Sequence, residues 1–255
     1  MKLLLFFLFL VNSNAFAGNF EEPACLKTSV DFWYDIYVKY DKDVGVVFDV
    51  DTLEVLRVVS MPEDDNDRAE IIQKIKKEYE DEGVKVRVQK GIRTEFEECL
   101  KRRLKHEKMI FAELKKAKMP KEISALPHVE SSYQVDAISK VGAIGLWQVM
   151  PNSAKLYGFK HKNLKDPKVN TKAGLSILAE NYRQLESWPL AITAYNHGLA
   201  GVKRAVKQTG TENICTIIDQ YDGPKFGVAS RNFFASFLAV VRILKERGIL
   251  EDEEN

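Results

Sequence analysis

The chain has 255 residues, of which 45% are hydrophobic and 29% are charged, and its formal net charge is +1 at pH 7. This ordinary globular composition excludes collagen-like, repeat-array and intrinsically disordered chains. A chain of this length buries a sizeable core without a structural metal or a dense disulfide framework, and it commonly holds one or two domains.

The first seventeen residues predict an export signal. Lys2 supplies a positive charge, residues 3–11 form an unbroken apolar run, and Ala15 and Ala17 provide the small residues of a cleavage site. The run is shorter than the about 20 apolar residues that span a bilayer. We therefore expect cleavage after Ala17, no transmembrane segment in the mature chain, and a periplasmic or extracellular location.

The cysteines and histidines indicate no metal site. Cys25, Cys99 and Cys215 allow one disulfide and one free thiol in an exported monomer, and their spacing does not choose the pair. No cysteine lies in a C-x-x-C motif. The four histidines also lack metal-ligand spacing: His106, His128, His161 and His197. We expect neither a metal nor a cofactor.

Residues 18–92 predict a small α/β module. The apolar pattern indicates strands over residues 44–50, 53–61 and 84–88 and a helix over residues 67–80. The apolar residues of this helix share one face: Ile71, Ile72, Ile75 and Tyr79. No residue of the module indicates a chemistry, which leaves a scaffold or docking role as the default.

Residues 93–255 predict a helical domain, so the whole chain is expected to have an α+β fold. Thr94 is placed to cap a long helix that runs to about Lys118. After Pro120, helices alternate with Gly, Pro and Asn. These helices are predicted over residues 121–132, 145–157, 171–185, 189–196, 199–209, 213–221 and 231–247.

Charge is distributed unevenly along the chain. Residues 119–250 carry 17 basic and 10 acidic residues, whereas residues 18–118 carry 20 basic and 23 acidic residues. A basic second half suggests an anionic partner. Export argues against nucleic acid as that partner.

Glu130 is the first candidate for chemistry. It follows Leu126 and Val129 and precedes Tyr133, and an apolar neighbourhood disfavours an ionised carboxylate and raises its pKa. A carboxylic acid that stays protonated near neutral pH can act as a general acid. A glutamate taken alone is far more often a surface residue.

Two further segments add weight to Glu130. Gly142 and Gly145 precede Gln148, an amide that can bind an amide or hydroxyl group, and a helix is predicted to begin at Gly145. Tyr195 and Asn196 place a phenol and an amide side by side, a suitable lining for a sugar-binding cleft. Each segment is weak alone, but their combination in this order is specific.

From about residue 98 to residue 247 the sequence resembles the catalytic domain of lytic transglycosylases of the soluble type, which has a goose-lysozyme-like helical fold. The motifs that carry the resemblance are Glu130-Ser131, Gly145-Leu146-Trp147-Gln148, Asp166-Pro167-Lys168-Val169-Asn170 with Ala173-Gly174, and Ala194-Tyr195-Asn196-His197-Gly198.

The resemblance implies that the chain cleaves peptidoglycan glycan strands, with Glu130 as the single catalytic acid and then base. The expected product is a 1,6-anhydromuramyl end, formed without water. Ser139, Gln148, Tyr195 and Asn196 are implied to line the cleft, where they contact the sugar, its N-acetyl group or Glu130. Ser131 is expected to fix the local backbone, and the sequence identifies no protein partner.

The sequence offers no clear second carboxylate. Glycosidases that use a carboxylate pair hold the two groups about 5–9.5 Å apart around the scissile bond. Asp136 follows Glu130 by six residues and is predicted to be a loop residue. One acid suffices if the N-acetyl group of the substrate stabilises the developing cation, a known exception to the paired arrangement.

One position departs from the family pattern. Relatives usually have a tyrosine near the start of the last helix, where this chain has Phe233, which cannot donate a hydroxyl hydrogen bond. Three explanations are open: Tyr133 or Tyr195 supplies the missing hydroxyl group, the catalytic rate is lower, or the alignment with the family is off by one residue. Two alternatives therefore stay open: a hydrolytic muramidase of the same fold, and a wall-binding protein with little turnover.

Overall fold

The structure is a computed structural model that describes residues 20–250. A mainly helical body is joined to a three-stranded antiparallel sheet near the amino terminus, which confirms the predicted α+β class. The predicted export signal at residues 1–17 lies outside the described residues. Among the helices of residues 20–250, none has the length and apolarity needed to cross a membrane.

The amino-terminal part begins with a helix that the sequence pattern does not predict. Its elements are α1 (Lys27–Val38), β1 (Val44–Asp49), β2 (Val55–Ser60), α2 (Asp65–Asp81) and β3 (Val86–Lys90), with strand order β2-β1-β3. The strands and α2 lie within a few residues of their predicted positions. α1 is rich in aromatic and β-branched residues, which favour strands in isolation.

Burial on two sides explains why α1 is helical. Val30 and Tyr37 pack into the main core beside the last helix, whereas Phe32 and Ile36 pack against Val46 of the sheet. Tertiary packing of this kind outweighs local propensity. Because α1 belongs to both clusters, the division of the chain at residues 92 and 93 stays a prediction.

The helical body consists of nine α-helices within the described residues. They are α3 (Arg93–Leu104), α4 (Glu107–Ala117), α5 (Leu126–Ser131), α6 (Pro151–Leu156), α7 (Pro167–Leu185), α8 (Trp188–His197), α9 (Leu199–Thr209), α10 (Ile214–Gln220) and α11 (Val228–Glu246). A 3-10 turn, Lys121–Ala125, leads into α5. α11 is the central helix, since it contacts α1, α5 and α8.

The predicted single helix from Thr94 to Lys118 is wrong, because the structure divides it into α3 and α4. The interruption at residues 105 and 106 changes which face points inward. Cys99 of α3 and Ile110 and Leu114 of α4 are buried, whereas Leu104 at the end of α3 is 68% exposed. A continuous helix would not bury the apolar residues of both halves in one core.

The structure selects the disulfide pair that the sequence left open. Cys25 and Cys215 are bonded, with their Cα atoms 6.1 Å apart, and Cys99 is a buried free thiol. The bond connects the turn before α1 to α10, which lie 190 residues apart in sequence. It therefore fastens the amino-terminal part to the helical body.

Candidate active site

Glu130 occupies the last turn of α5, a short helix that packs against α11. The helix ends at Ser132, whose φ of 49° is left-handed, and Tyr133 next to it is also left-handed at 58°. His128 and Tyr133 are buried, but Glu130 itself is only half-buried. The α5 backbone therefore holds a carboxyl group at the edge of the core, where a ligand can reach it.

Burial raises the pKa of the Glu130 carboxyl to about 8. Among the described residues, no group forms a hydrogen bond or an ion pair with this carboxyl. The nearby His128 supplies no compensating charge, because burial, aided by the charge of Arg103, lowers its pKa well below its ordinary value. Glu130 is therefore mostly protonated at neutral pH and able to donate a proton.

This raised pKa predicts that Glu130→Gln stabilises the protein above pH 4.5. The folded-state pKa of about 8 lies above the ordinary value of 4.5, so folding opposes ionisation of the group. The wild type has its full free energy of unfolding below pH 4.5, where the carboxyl is protonated in both the folded and the unfolded chain. This free energy falls as pH rises from 4.5, and the fall ends near pH 8, where the folded-state carboxyl also ionises. The limiting slope is about 1.36 kcal/mol per pH unit. Solvent screening of this half-buried group reduces the gain to about 1–3 kcal/mol at pH 7.

Urea unfolding at pH 4.5, 6, 7 and 8 measures this gain in the free energy of unfolding. The difference between Glu130→Gln and the wild type should be near zero at pH 4.5 and grow towards pH 8. Glu186→Gln, at an exposed site, is the matched control and should stay within about 0.5 kcal/mol of the wild type. A constant difference at all four pH values would contradict the raised pKa.

A tight loop at residues 144–149 lies beside Glu130, where the sequence predicted the start of a helix. That prediction is wrong for Gln148, because its φ is 45° and the backbone of Ile144 pairs with that of Val149. The Nε2 atom of Gln148 donates to Gly145 O at 3.0 Å and to Ala137 O at 3.3 Å. Its Oε1 atom has no partner among the described residues and is therefore available to accept a hydrogen bond.

The indole of Trp147 anchors this loop to α7. Trp147 is fully buried, and its Nε1 atom donates to Thr171 Oγ1 at 3.0 Å. Its ring lies against Gly174, where an added Cβ would come within 2.9 Å of Trp147 Cγ. Glycine at 174 is therefore needed for the loop to pack this closely on the helix.

Asn170 fixes the backbone of the same loop. Its Nδ2 atom donates to Ile144 O at 2.8 Å and Leu164 O at 2.9 Å, and its Oδ1 atom accepts from Trp147 N at 2.9 Å. A Cβ at Gly145 would come within 2.8 Å of Asn170 Nδ2. The sequence matched Asn170 to a family motif but gave no sign of this role.

Asn170→Ala is expected to lower the free energy of unfolding by about 3 kcal/mol. The substitution removes three hydrogen bonds at a residue that is 1% exposed and leaves their backbone partners unsatisfied. Urea denaturation monitored by circular dichroism measures the loss. Asn163→Ala, at an exposed position, is the control. A loss below about 1 kcal/mol for Asn170→Ala would refute this account of the loop.

Two hydroxyl groups connect the loop to the helices on either side. Ser131 Oγ donates to Leu146 O at 2.8 Å, which is the backbone role expected for Ser131. Tyr195 Oη of α8 donates to Trp147 O at 2.8 Å. Burial raises the pKa of Tyr195 well above its ordinary value, and the charge of Glu130 raises it further. Glu130, the 144–149 loop and Tyr195 therefore lie together.

Ser139 and Asn196 lie at the margins of this group. Ser139 Oγ accepts from Ala143 N at 2.9 Å and so closes a turn, and among the described residues no hydrogen bond joins Ser139 to Glu130. Asn196 is exposed, and its Oδ1 atom accepts from Ser230 Oγ at 3.0 Å, at the start of α11. That bond leaves the Nδ2 atom of Asn196 free to donate.

The structure distinguishes the two tyrosines considered as replacements for the expected family tyrosine. Tyr133 is 1% exposed, and its hydroxyl donates to Ser124 O inside the core. Tyr195, in contrast, lies near enough to Glu130 for the charge of that carboxylate to raise the pKa of its hydroxyl group. Phe233 is buried in α11, and Asp136 lies in an exposed turn.

Within residues 20–250, no group of three or more His, Cys, Asp or Glu side chains is arranged to hold a metal ion. The chemistry that these residues offer is proton transfer by one carboxyl group with amide and phenol groups beside it.

The chain is similar to known proteins over its helical body. The model of the family described as "Transglycosylase SLT domain" matches residues 107–218, which include Glu130, Gln148 and Tyr195. The chain is 33% identical over 103 residues to the membrane-bound lytic murein transglycosylase D of Escherichia coli K12, covering 38% of this chain and 23% of that protein. It is 35% identical over 79 residues to the transglycosylase of Enterobacteria phage PRD1, covering 31% of this chain and 29% of the phage protein.

A solved structure supports the fold alone. The 70 kDa soluble lytic transglycosylase of Escherichia coli superposes with a TM-score of 0.50 at 20% identity, over 58% of this chain and 26% of that one. The chain thus spans less than a third of the length of each relative named here. Residues 107–218 match the transglycosylase SLT domain, and the helical body has the lysozyme-like fold of a lytic transglycosylase.

Proposed function

We propose that this protein is an exported lytic transglycosylase that cleaves the β-1,4 bond between N-acetylmuramic acid and N-acetylglucosamine in peptidoglycan. The observation that carries the proposal is the half-buried Glu130 carboxyl, with a pKa raised to about 8, inside the SLT domain. A general acid is most effective when its pKa lies near the working pH. The named E. coli relative is described as acting on murein.

The proposed reaction uses Glu130 twice. The protonated carboxyl donates its proton to the glycosidic oxygen, the C1–O bond of the muramyl residue breaks, and N-acetylglucosamine leaves with a free 4-hydroxyl group. The muramyl N-acetyl oxygen stabilises the positive charge that develops at C1. The Glu130 carboxylate then accepts the proton of the muramyl C6 hydroxyl as that oxygen bonds to C1, and the acid is restored.

The neighbours of Glu130 suit this reaction. Gln148 Oε1 and Asn196 Nδ2 are a free acceptor and a free donor for the N–H and C=O groups of the sugar amides. Tyr195 holds the 144–149 loop next to the acid. Ser139 shapes the adjoining turn. Asp136, in its exposed turn, is not assigned a role as a second carboxylate.

Two alternatives predict different products. A hydrolytic muramidase of the same fold would admit water to C1 and leave reducing ends. A wall-binding protein with little turnover, suggested by Phe233, would stay on purified sacculi and release no soluble fragments. The buried phenylalanine at this position offers no hydroxyl to the acid.

Digestion of purified peptidoglycan followed by mass analysis of the fragments decides among them. The proposal expects muropeptides with anhydromuramyl ends, each lighter by one water than the corresponding reducing end. A digest that contains reducing ends only would establish hydrolysis, and the absence of soluble fragments after long incubation would support wall binding. The Glu130→Gln protein provides the blank.

Export to the periplasm or the medium completes the proposal. It rests on the signal pattern of residues 1–17 and on the disulfide between Cys25 and Cys215, a bond that persists in oxidising compartments. The excess of basic residues over residues 119–250 suits an anionic cell wall. Amino-terminal sequencing of protein from the exported fraction is expected to begin at Gly18.

A further inference from the structure

A polar cavity lies between the amino-terminal part of the chain and the start of α11, with a volume of about 640 Å³. Its walls come from the start of α1, from the turn at residues 50–53 between β1 and β2, from α10, and from Arg231 and Asn232. The disulfide between Cys25 and Cys215 forms part of the lining. We call this space the hairpin cavity, after the turn that closes it.

The hairpin cavity lies close to Asn196, at the margin of the candidate active site. Ser230, whose hydroxyl bonds to Asn196, directly precedes Arg231 and Asn232 in α11. One turn of a helix rises about 5.4 Å. The cavity therefore begins within one helical turn of a residue that contacts the amide implied to bind sugar.

The lining of the hairpin cavity offers both signs of charge. Asp51 and Asp219 are exposed, and among the described residues their carboxylates have no hydrogen-bond or ion-pair partner. Arg231 donates from Nε to Phe226 O and from Nη2 to Tyr221 O, which leaves Nη1 free. This set suits a ligand that carries both an ammonium group and a carboxylate.

Uncharged polar groups complete the lining. Asn232 is buried, and its Nδ2 atom donates to Val228 O, so Oδ1 can accept from a ligand N–H. Thr28, Ser29 and Thr216 contribute hydroxyl groups. Amide, hydroxyl and charged groups in one concave space fit a peptide better than an apolar molecule.

We propose that the hairpin cavity binds the peptide stem attached to the muramyl residue next to the scissile bond. Asp51 and Asp219 face the amino group of the stem's diamino acid, and Arg231 faces a stem carboxylate. This inference rests on the proposed function. It gives the amino-terminal part a role as a specificity element, since the turn at residues 50–53 forms one wall of the cavity.

The test compares two substrates that share one glycan. One is intact peptidoglycan strands, and the other is the same strands after an amidase has removed their peptide stems. The wild type is expected to cleave stem-bearing strands about tenfold faster at limiting substrate, equivalent to about 1.4 kcal/mol. The double variant Asp51→Asn/Asp219→Asn should lose most of this preference while its rate on stripped strands stays unchanged.

Two further variants separate binding from general effects of charge or folding. Asp67→Asn/Asp81→Asn removes two exposed carboxylates from α2, and it should keep the wild-type preference. Thr28→Trp fills the cavity without changing its charge, and it should reduce the preference as the cavity double variant does.

The outcomes distinguish this inference from the proposed function. Equal wild-type rates on the two substrates, or an unchanged preference in Asp51→Asn/Asp219→Asn, would overturn the stem-binding role and leave the proposed function intact. Failure of the wild type to cleave either substrate would overturn the proposed function, and the inference would fall with it.

Discussion

Glu130→Gln is expected to reduce the release of soluble fragments from peptidoglycan by about 10³-fold or more. Positioned proton transfer contributes about 10²–10⁴-fold to a rate, and here one residue supplies both the acid and the base step. Glutamine keeps the shape of the side chain but can neither give up nor accept the proton. The measurement is the initial rate of muropeptide release at pH 7, normalised to folded protein.

The control for this loss is Glu186→Gln, which removes a carboxyl group from an exposed site at the end of α7. It should retain the wild-type rate. Glu130→Gln is expected to be more stable than the wild type, so unfolding of the variant cannot explain a loss of activity. A Glu130→Gln rate within tenfold of the wild type would remove Glu130 from the role of catalytic acid.

Loss of the Cys25–Cys215 disulfide is expected to lower the free energy of unfolding by about 5 kcal/mol. The bond closes a loop over a sequence separation of 190 residues, and the loop-entropy model gives that magnitude for so long a loop. Cys25→Ser/Cys215→Ser removes it without leaving an unpaired cysteine at either site. The urea midpoint of oxidised wild type, reduced wild type and the double variant measures the effect.

The reductant serves as the internal control for that experiment. Reduced wild type should unfold near the midpoint of the double variant, and the double variant should not respond to reductant. Thiol counting in the denatured, oxidised wild type should find one free group, that of Cys99. Three free groups, or equal midpoints for all samples, would contradict the pairing.

A short sequence window is enough to identify some residues and elements. Glu130 and Tyr195 lie in compact motifs, and the structure brings them close enough for the charge of Glu130 to raise the pKa of Tyr195. The strands and α2 were predicted within a few residues, because a regular apolar alternation or helical spacing marks each of them.

Features that depend on distant partners were not predictable in this way. The left-handed Gln148 belongs to a loop whose backbone is held by Asn170, 22 residues further along the chain. The helical pattern over residues 145–157 gives no indication of the contact with Asn170. α1 is helical because two faces of it are buried by elements that a local pattern does not contain. The cysteine pair likewise depends on a contact over 190 residues.

Three of the six non-glycine residues with left-handed φ in residues 20–250 lie near the proposed acid. Ser132, Tyr133 and Gln148 all have left-handed φ values, between 45° and 58°, which L side chains rarely adopt. Such conformations cost about 1–3 kcal/mol each and persist where the surrounding structure enforces them. Here the Ser131–Leu146 bond and the buried Tyr133 hydroxyl provide that enforcement. Backbone strain and a desolvated carboxyl group both lower stability, and together they are typical of a catalytic site.

The proposed chemistry requires Glu130 to be protonated at neutral pH, which a carbon-13 NMR titration of the glutamate side-chain carboxyls measures. Spectra of the labelled wild type and of Glu130→Gln, recorded from pH 3 to pH 10, identify the Glu130 signal as the one missing from the variant. This signal is expected to titrate with a midpoint near pH 8. A midpoint near pH 4.5 would mean that the carboxyl is ionised at neutral pH and would contradict the proposed acid.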